Sequence, residues 1–195
     1  DPLRLEPNVS VQFLNDGEVL PGDCDLVIIP GSKSTIADLA ALRANGWDID
    51  IAAHVRRGGK VIGLCGGYQM LGSKIHDPEG REGKPQTVDG LGLLNVETTM
   101  TNEKTVTPTK ATHTSSGTEI SAYEIHLGKT TGPDCASPFA TTANGNEGAM
   151  SGNVMGTYLH GCFSSDAFRR AFLQSLGATG SNLAYEDMIE QTLDE

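Results

Sequence analysis

One cysteine in this chain stands where a nucleophile would be presented. Cys65 follows an apolar run at residues 61–64 and is flanked by Gly63, Gly66 and Gly67, which gives the pattern G-x-C-x-G. That pattern is typical of a nucleophile elbow, in which a strand turns sharply into a helix at the attacking residue. The turn strains the backbone and needs small neighbours. Because the side chain would lie at a helix N-terminus, the helix dipole would favour a thiolate there.

The alternative for Cys65 is an inert core cysteine, since cysteine is among the most frequently buried residue types. The preceding apolar strand and the following glycines favour the nucleophile over that alternative. The chain has three other cysteines, Cys24, Cys135 and Cys162, and the four together match neither a zinc-binding spacing nor a disulfide framework. We therefore expect no metal site and a reducing, cytoplasmic setting.

A thiol nucleophile needs a base, and His160 is the histidine best placed to supply one. It follows an apolar strand pattern at residues 154–159 and precedes Gly161, which is how a side chain is presented at the carboxyl edge of a sheet. A buried structural histidine is the alternative for this position. The other histidines are predicted to lie in an exposed helix (His54), in polar loops (His76 and His113) and in a short β pattern after Glu124 (His126).

Acyl chemistry also needs hydrogen-bond donors for the oxyanion of the tetrahedral intermediate. The elbow itself supplies one donor, the backbone N–H of Gly66. The loop at residues 30–32 follows a buried strand pattern, and its Gly31 would let the backbone come close enough to supply a second N–H. From its residues alone, an ordinary strand-to-helix turn capped by Ser34 is an equally good interpretation of that loop.

The surrounding pattern predicts the elements that hold these residues. Short apolar runs that end in turn residues indicate strands, and apolar residues at helical spacing indicate helices. Strands are predicted at residues 9–14, 26–29, 61–64 and 154–159, and helices at residues 35–42, 49–57, 68–71 and 165–176. A capping box from Thr35 to Asp38 would start the first of these helices.

The order of these elements predicts the fold class. Alternating strands and helices in the first third indicate an α/β fold with a doubly wound, mostly parallel, flavodoxin-like sheet. Residues 73–150 are rich in Thr, Gly and Pro and contain β-like runs at 92–98 and 119–127, which predicts an antiparallel extension. No repeat or long linker divides the sequence, so we predict one domain over residues 1–195.

The composition limits the classes of function. The formal net charge is −11, which disfavours binding to nucleic acid or to an anionic membrane. No apolar run approaches the roughly 20 residues that span a bilayer. Aromatic residues make up 5% of the chain, so the core is predicted to be aliphatic.

Four motifs together resemble the cobyric acid synthase family, a cobalamin-pathway branch of the class I (triad-type) glutamine amidotransferases. They are G-S-K-S-T at residues 31–35, G-L-C-G-G-Y-Q-M-L-G at 63–72, Y-E-I-H-x-G at 123–128 and G-T-Y-L-H-G at 156–161. The combination is specific, although each motif alone is not. The resemblance implies a glutamine amidotransferase domain that follows an ATP-binding synthetase domain in the same polypeptide.

The resemblance also implies a role for each matching residue. A nucleophile, a base, two oxyanion donors and three substrate contacts are implied at Cys65, His160, Gly31, Gly66, Ser32, Tyr68 and Gln69. The thiol would attack the side-chain amide of glutamine and give a glutamyl thioester and ammonia. The ammonia would amidate carboxylates of a corrinoid, cobyrinic acid a,c-diamide, which the synthetase domain would activate with ATP and Mg²⁺. No cofactor is expected in this domain itself.

Two departures from the wider family bear on this expectation. That family carries an acid two residues after the histidine, where this chain has Cys162. A Cys–His dyad is implied instead, with Glu124 as a candidate acid and His126 as the alternative base. We also expect this chain to lack the synthetase domain and the opening strand of its own domain, which would pair with strands at residues 9–14 and 26–29.

Three other functions share parts of this pattern. They are a glutamine amidotransferase that serves a cell-wall-precursor ligase, a cysteine peptidase or deglycase on the same fold, and a non-catalytic docking domain. The motifs at residues 31–35 and 123–126 favour the cobalamin branch over the first. Turnover of peptides or aldehydes would identify the second, and a docking domain would tolerate the loss of Cys65.

Overall fold

The computed structural model describes residues 2–179, 181–185 and 187, without the side chains of residues 102–106, 125 and 126. Within these ranges the helices are Pro2–Leu5 (α1), Thr35–Ala44 (α2), Trp47–Arg56 (α3), Gly66–Leu71 (α4) and Asp166–Ser175 (α5). The strands are Leu26–Ile29 (β1), Lys60–Leu64 (β2), Lys74–Asp77 (β3), Gln86–Asp89 (β4), Glu97–His113 (β5), Glu119–Thr131 (β6), Ala140–Thr142 (β7), Gly145–Glu147 (β8), Ala149–Ser151 (β9), Val154–Thr157 (β10) and Leu159–His160 (β11). Short 3₁₀ turns lie at Pro133–Ala136 and Cys162–Ser164.

A parallel sheet forms the first of two layers of strands. In the described residues its order is β1-β2-β10-β9, with β2 parallel to both β1 and β10, and with β9 antiparallel to β10. The central position of β2 explains its apolar run, because Val61 and Ile62 are completely buried. The strand therefore ends at Leu64 inside the protein, directly before Cys65.

The second sheet is the extension predicted from residues 73–150. Its main path in the described residues is β11-β6-β5-β3-β4, and β7 and β8 join at the side through β5. The long antiparallel hairpin of β5 and β6 dominates it. The α/β class and the antiparallel extension are thus confirmed, with the extension contributing more strands than the parallel layer.

The chain crosses from one sheet to the other immediately before the predicted base. The parallel ladder of β10 ends at Thr157, and β11 begins at Leu159, where it pairs with β6. Leu159 is opposite Glu124, and His160 is opposite Tyr123. The single strand predicted at residues 154–159 is therefore divided between two sheets, with Tyr158 at the crossover.

The prediction of a strand at residues 9–14 is wrong. The structure has no regular element there, and in the described residues β1 has β2 as its only strand partner. Val9 and Val11 pack against the core, while Phe13 is 66% exposed. The alternation that suggested a strand is satisfied by burying two side chains of an irregular segment, without a ladder.

The core consists of two apolar clusters; the first is mainly aliphatic, as the composition predicted, although it also contains two tyrosines. The first contains Leu39, Leu71, Ile75 and Leu94 among its buried members. The second gathers four of the five phenylalanines of the chain, with rings in edge or tilted contact: Phe139, Phe163, Phe168 and Phe172. None of the helices in the described ranges combines the length and apolar character that a membrane crossing requires.

Candidate active site

Cys65 occupies the sharp turn that the sequence predicted, between β2 and α4. Its backbone has φ 53° and ψ −110°, and among the described residues it is the only non-glycine residue with positive φ. Its N–H donates to the Thr157 carbonyl at 2.8 Å, and its carbonyl accepts from the Gln69 N–H at 3.1 Å. Such strain persists only where surrounding contacts hold it, and here both neighbouring elements do so.

The glycines after Cys65 are required by close approach of the backbone. A Cβ on Gly67 would lie 2.0 Å from the Ile29 carbonyl oxygen, and a Cβ on Gly66 would lie 2.9 Å from the Ser32 nitrogen. The elbow therefore packs directly against the carboxyl end of β1 and the loop that follows it. Any side chain at these two positions would push the loop away from the thiol.

Gly31 lies at the point where the elbow, the loop and β11 meet. A Cβ built on Gly31 would be 3.2 Å from His160 Cε1 and 3.5 Å from Cys65 Cβ. The predicted nucleophile, base and second oxyanion donor are therefore gathered around one position. The elements that carry them are distant in sequence and come together at the carboxyl ends of β1 and β2.

The thiol of Cys65 is not pre-ionised in the way that the sequence suggested. Burial raises the pKa of Cys65 above its ordinary value, and a hydrogen bond from the Gly66 N–H opposes that rise only in part. Desolvation thus outweighs the hydrogen bond from the Gly66 N–H. A nearby base is needed to take the thiol proton before the sulfur can attack.

Gln69 forms the floor of this region rather than a free surface. Its side chain is 3% exposed. Its Oε1 accepts from the Thr35 hydroxyl at 3.2 Å, and its Nε2 donates to the Leu127 carbonyl and to the Tyr158 hydroxyl, each at 3.3 Å. One side chain therefore ties together α2, β6 and the crossover beneath the thiol.

The other two predicted substrate contacts, Tyr68 and Ser32, lie in different surroundings. Tyr68 is buried, with its ring in edge contact with Tyr158 and its hydroxyl 4.0 Å from Cys135 Sγ. The half-buried Ser32 donates its hydroxyl to Asp38 Oδ2 at 2.5 Å. Tyr68 thus packs in the core, Ser32 lies in the loop beside Gly66, and their contact with a substrate stays a prediction.

The capping box predicted for α2 is wrong, because a distant carboxylate occupies that end of the helix. Glu82 accepts hydrogen bonds from the N–H groups of Thr35 and Ile36, each at 2.7 Å. Asp77, which is completely buried, accepts the N–H of Glu82 at 2.9 Å and so holds it in place. Thr35 is thereby released to bind Gln69, and the loop after β1 is held from both sides.

Glu147, at the end of β8, is a residue of the site that sequence reasoning missed. It is buried, and it accepts the Tyr158 N–H at 2.6 Å and the Thr157 hydroxyl at 2.7 Å. Burial raises the pKa of Glu147 to about 7, and the nearby Glu124 carboxylate adds to the rise. No motif or periodicity marked it, because it comes from a short strand in an irregular stretch of sequence.

The two residues whose roles were left open lie on β6. Glu124 is half-buried opposite Leu159, so its backbone is next to that of the base. His126 is opposite Thr105 in the hairpin, and its side chain lies outside the described part of the structure. Cys162, which stands in place of the family acid, is buried, and that burial raises the pKa of its thiol to about 12.

Three further histidines are placed differently from the sequence predictions. His54 is 2% exposed rather than solvated, and His76 and His113 lie on β3 and β5 rather than in loops. In the part of the chain that the structure describes, no group of three or more His, Cys, Asp or Glu side chains is arranged to hold a metal ion.

This chain is similar in sequence to a known domain family and to known proteins. A model of the CobB/CobQ-like glutamine amidotransferase domain matches residues 1–168. Cobyric acid synthases from Cereibacter sphaeroides, Jannaschia sp. and Ruegeria sp. are 56%, 56% and 57% identical to this chain over its whole length. The chain covers 41%, 40% and 41% of those proteins, so it spans about two fifths of the curated relatives it matches.

Solved structures support the fold. A crystal structure of a glutamine amidotransferase has a TM-score of 0.56 at 18% identity, with 79% of this chain and 80% of that chain covered. The PurLQS structure from Thermotoga maritima has a TM-score of 0.58 at 16% identity, with 91% and 83% covered. At these identities the likeness concerns the arrangement of strands and helices alone.

Proposed function

Since this chain belongs to the CobB/CobQ-like glutamine amidotransferase domain family, we propose that it hydrolyses the side-chain amide of glutamine and releases ammonia. The observation that carries this proposal is the meeting of Cys65, His160 and Gly31 around one position. A strained elbow, a nearby imidazole and a glycine loop are the parts that acyl transfer through a thioester needs.

The proposed reaction begins with proton transfer from the Cys65 thiol to His160. The thiolate attacks the amide carbon of glutamine, and the N–H groups of Gly31 and Gly66 stabilise the oxyanion that forms. His160 then gives the proton to the leaving nitrogen, so that ammonia departs and a glutamyl thioester remains. Water, deprotonated by His160, attacks the thioester and releases glutamate and the free thiol.

The raised pKa of Cys65 supports a role for His160 in this sequence of steps. Because burial raises the pKa of the thiol, little thiolate exists at neutral pH without a base. Ser32, Tyr68 and Gln69 are proposed to contact or support the bound glutamine, with Gln69 acting from the floor of the site. Glu124 and His126 remain candidates for further roles on β6.

The whole polypeptide is proposed to use this ammonia for amidation. The relatives carry the name cobyric acid synthase, and about three fifths of their length lies outside the matched part. We propose that a synthetase domain of the same polypeptide activates corrinoid carboxylates with ATP and Mg²⁺, on cobyrinic acid a,c-diamide. A cytoplasmic location is proposed with it, and the relatives favour this function over a cell-wall-precursor ligase.

Conversion of glutamine to glutamate by this chain tests the first part of the proposal. Wild-type protein should release ammonia and glutamate, and Cys65→Ala should abolish the release without loss of folding. In the full-length polypeptide, the same variant should lose glutamine-dependent amidation and keep amidation with added ammonia, because free ammonia bypasses the thiol. Glutamine-dependent amidation that survives Cys65→Ala would overturn the proposal.

A further inference from the structure

We propose that Glu147 is a positioning residue for His160, because its carboxylate holds the backbone crossover that carries this histidine into the second sheet. The inference rests on the proposed function, since it assigns a task within the same site. Glu147 does not act on the reacting atoms. It acts through the two residues that precede β11.

The first argument comes from the hydrogen bonds of the crossover. Glu147 Oε2 accepts the Thr157 hydroxyl at 2.7 Å, and Oε1 accepts the Tyr158 N–H at 2.6 Å. The Thr157 hydroxyl oxygen in turn accepts the Leu159 N–H at 3.1 Å. One carboxylate therefore determines, directly or through one hydroxyl, the path of the three residues before His160.

The second argument comes from the strand ladders. The pairing of β10 ends at Thr157 and that of β11 starts at Leu159, so Tyr158 belongs to neither ladder. Its buried N–H donates to Glu147, and a buried donor that loses its acceptor destabilises the fold. After loss of the carboxylate, we expect the crossover peptide to rotate so that the Tyr158 N–H reaches another acceptor. That rotation would redirect the strand that bears His160.

The third argument comes from the environment of the carboxylate. Glu147 is 7% exposed, and the ionisable groups that act on it or feel its charge are Glu124 on β6, Tyr68 on α4 and Cys162 after β11. None of these is a cation. Burying a carboxylate without an ion pair is costly, and purely structural hydrogen bonds could be made by neutral groups. The two hydrogen bonds that the carboxylate accepts from the crossover offset this cost.

The test compares Glu147→Gln, Glu147→Leu and Thr157→Val with wild type in glutamine hydrolysis by this chain. Gln keeps an acceptor for the Tyr158 N–H and can donate to the Thr157 oxygen, whereas Leu does neither. We expect kcat for Leu to fall by about 10²-fold with little change in KM, because displacement of a catalytic group by about 1 Å has that effect. Gln should restore most of the loss.

Two further readouts separate positioning from general stability. Glu147→Gln and Thr157→Val should be non-additive in the double variant, since both interrupt one network. In wild type, the pH profile of kcat/KM should contain an ionisation of Glu147, which should be absent in Glu147→Gln. Glu6→Gln is a control for the loss of a buried carboxylate, because Glu6 is paired with Arg169 rather than with the crossover residues 157–159.

Iodoacetamide alkylation of Cys65 distinguishes failure of this inference from failure of the proposed function. If wild type does not hydrolyse glutamine, the proposed function fails, and the pH dependence of alkylation still reports the position of His160 relative to the thiol. If Glu147→Leu does not fold, Glu147→Gln and Thr157→Val carry the test. Wild-type kcat and an unchanged alkylation profile in the folded variants would overturn the inference.

Discussion

In the part of the chain that the structure describes, there are two thiol–imidazole arrangements, one at each end of the parallel sheet. Cys65 and His160 meet at the carboxyl ends of β1 and β2. At the opposite end, Cys24 lies just before β1, with its Sγ 3.6 Å from His54 Nδ1. The second arrangement was not predicted, because His54 was expected to be exposed. The difference between the two shows what a thiol and an imidazole need before they can do chemistry.

The imidazole of His54 has a structural role, because both of its ring nitrogens contact neighbouring groups. Its Nε2 lies 3.0 Å from the Lys60 carbonyl, so Nε2 carries a proton, and in the neutral imidazole Nδ1 accepts from the Cys24 thiol. A Cβ on Gly59 would lie 2.1 Å from this ring, which shows how closely the ring fills its space. His54 therefore connects α3 to the start of β2, where Gly59 packs against its ring.

The backbones of the two cysteines differ as well. Cys65 has φ 53°, whereas Cys24 has none of the positive φ that marks a strained turn. Burial raises the pKa of both thiols, so ionisation does not distinguish them. What distinguishes them is presentation: one sulfur projects from a strained turn beside glycine N–H groups, and the other precedes an ordinary strand.

The largest expected difference is between the two histidines. His160→Ala should lower glutamine hydrolysis by about 10²–10⁴-fold, the usual contribution of a general base. His54→Ala should leave kcat close to wild type and instead lower thermal stability, because it removes a buried ring from the α3–β2 contact. Steady-state kinetics and thermal unfolding of both variants check this. Equal kinetic losses would mean that the comparison has identified the wrong base.

The next difference concerns covalent labelling. A glutamine-like diazoketone or chloroketone should label Cys65 well ahead of Cys24, Cys135 and Cys162. The reason is that Cys65 is the cysteine proposed to have both a base and oxyanion donors, which would activate the bound ketone. Peptide mass spectrometry after partial labelling measures the order. Equal labelling of all four thiols would contradict the assignment of the elbow.

A smaller effect is expected at Glu82, which caps the N-terminus of α2, the end of that helix nearest to Cys65. Glu82→Ala should cost about 1 kcal/mol of stability, the typical value of a helix N-terminal cap. It should also raise KM for glutamine, because the loop at residues 30–32 loses its support. Glu82→Gln keeps one acceptor and should be intermediate. Urea unfolding measures the change in stability, and steady-state kinetics measure KM. A normal KM in Glu82→Ala would show that glutamine binding does not depend on this support of the loop.

The smallest expected effect concerns backbone strain. Relative to the alanine variant at the same position, Cys65→Gly should be more stable by up to about 1 kcal/mol, because glycine adopts positive φ freely. Cys24→Gly should be less stable than Cys24→Ala, because glycine adds entropy to the unfolded chain. Thermal unfolding of the four variants gives the comparison. The same sign at both positions would show that the turn at Cys65 stores no strain.

The local structures that sequence predicted correctly are those whose signal lies within a few consecutive residues. The elbow at Cys65 and the helix after β1 each lie within a few consecutive residues, so strand, turn and helix propensities report on them directly. His160 was identified by the same means, from the apolar residues before it and the glycine after it. These predictions placed the elbow, the start of the helix after β1 and His160 at one edge of the sheet.

The parts that sequence did not predict depend on distant segments. Glu82 caps a helix 46 residues away, and Glu147 supports a crossover 10 and 11 residues further along the chain. His54 is buried because the Lys60 carbonyl happens to face it. No periodic pattern encodes such pairings, since a single carboxylate has no spacing of its own. The strand predicted at residues 9–14 failed for the converse reason: its alternation was real, but no partner strand lies beside it.

The crossover at Tyr158 means that the two side chains proposed to react are attached to different hydrogen-bonded sheets. Cys65 is anchored to β10 of the parallel sheet, and His160 is anchored to β6 of the other. A rotation of the long β5–β6 hairpin about the crossover would change the separation of sulfur and imidazole while every ladder within each sheet stayed intact. A molecule that binds the hairpin far from the thiol would therefore be able to change the geometry of the proposed site.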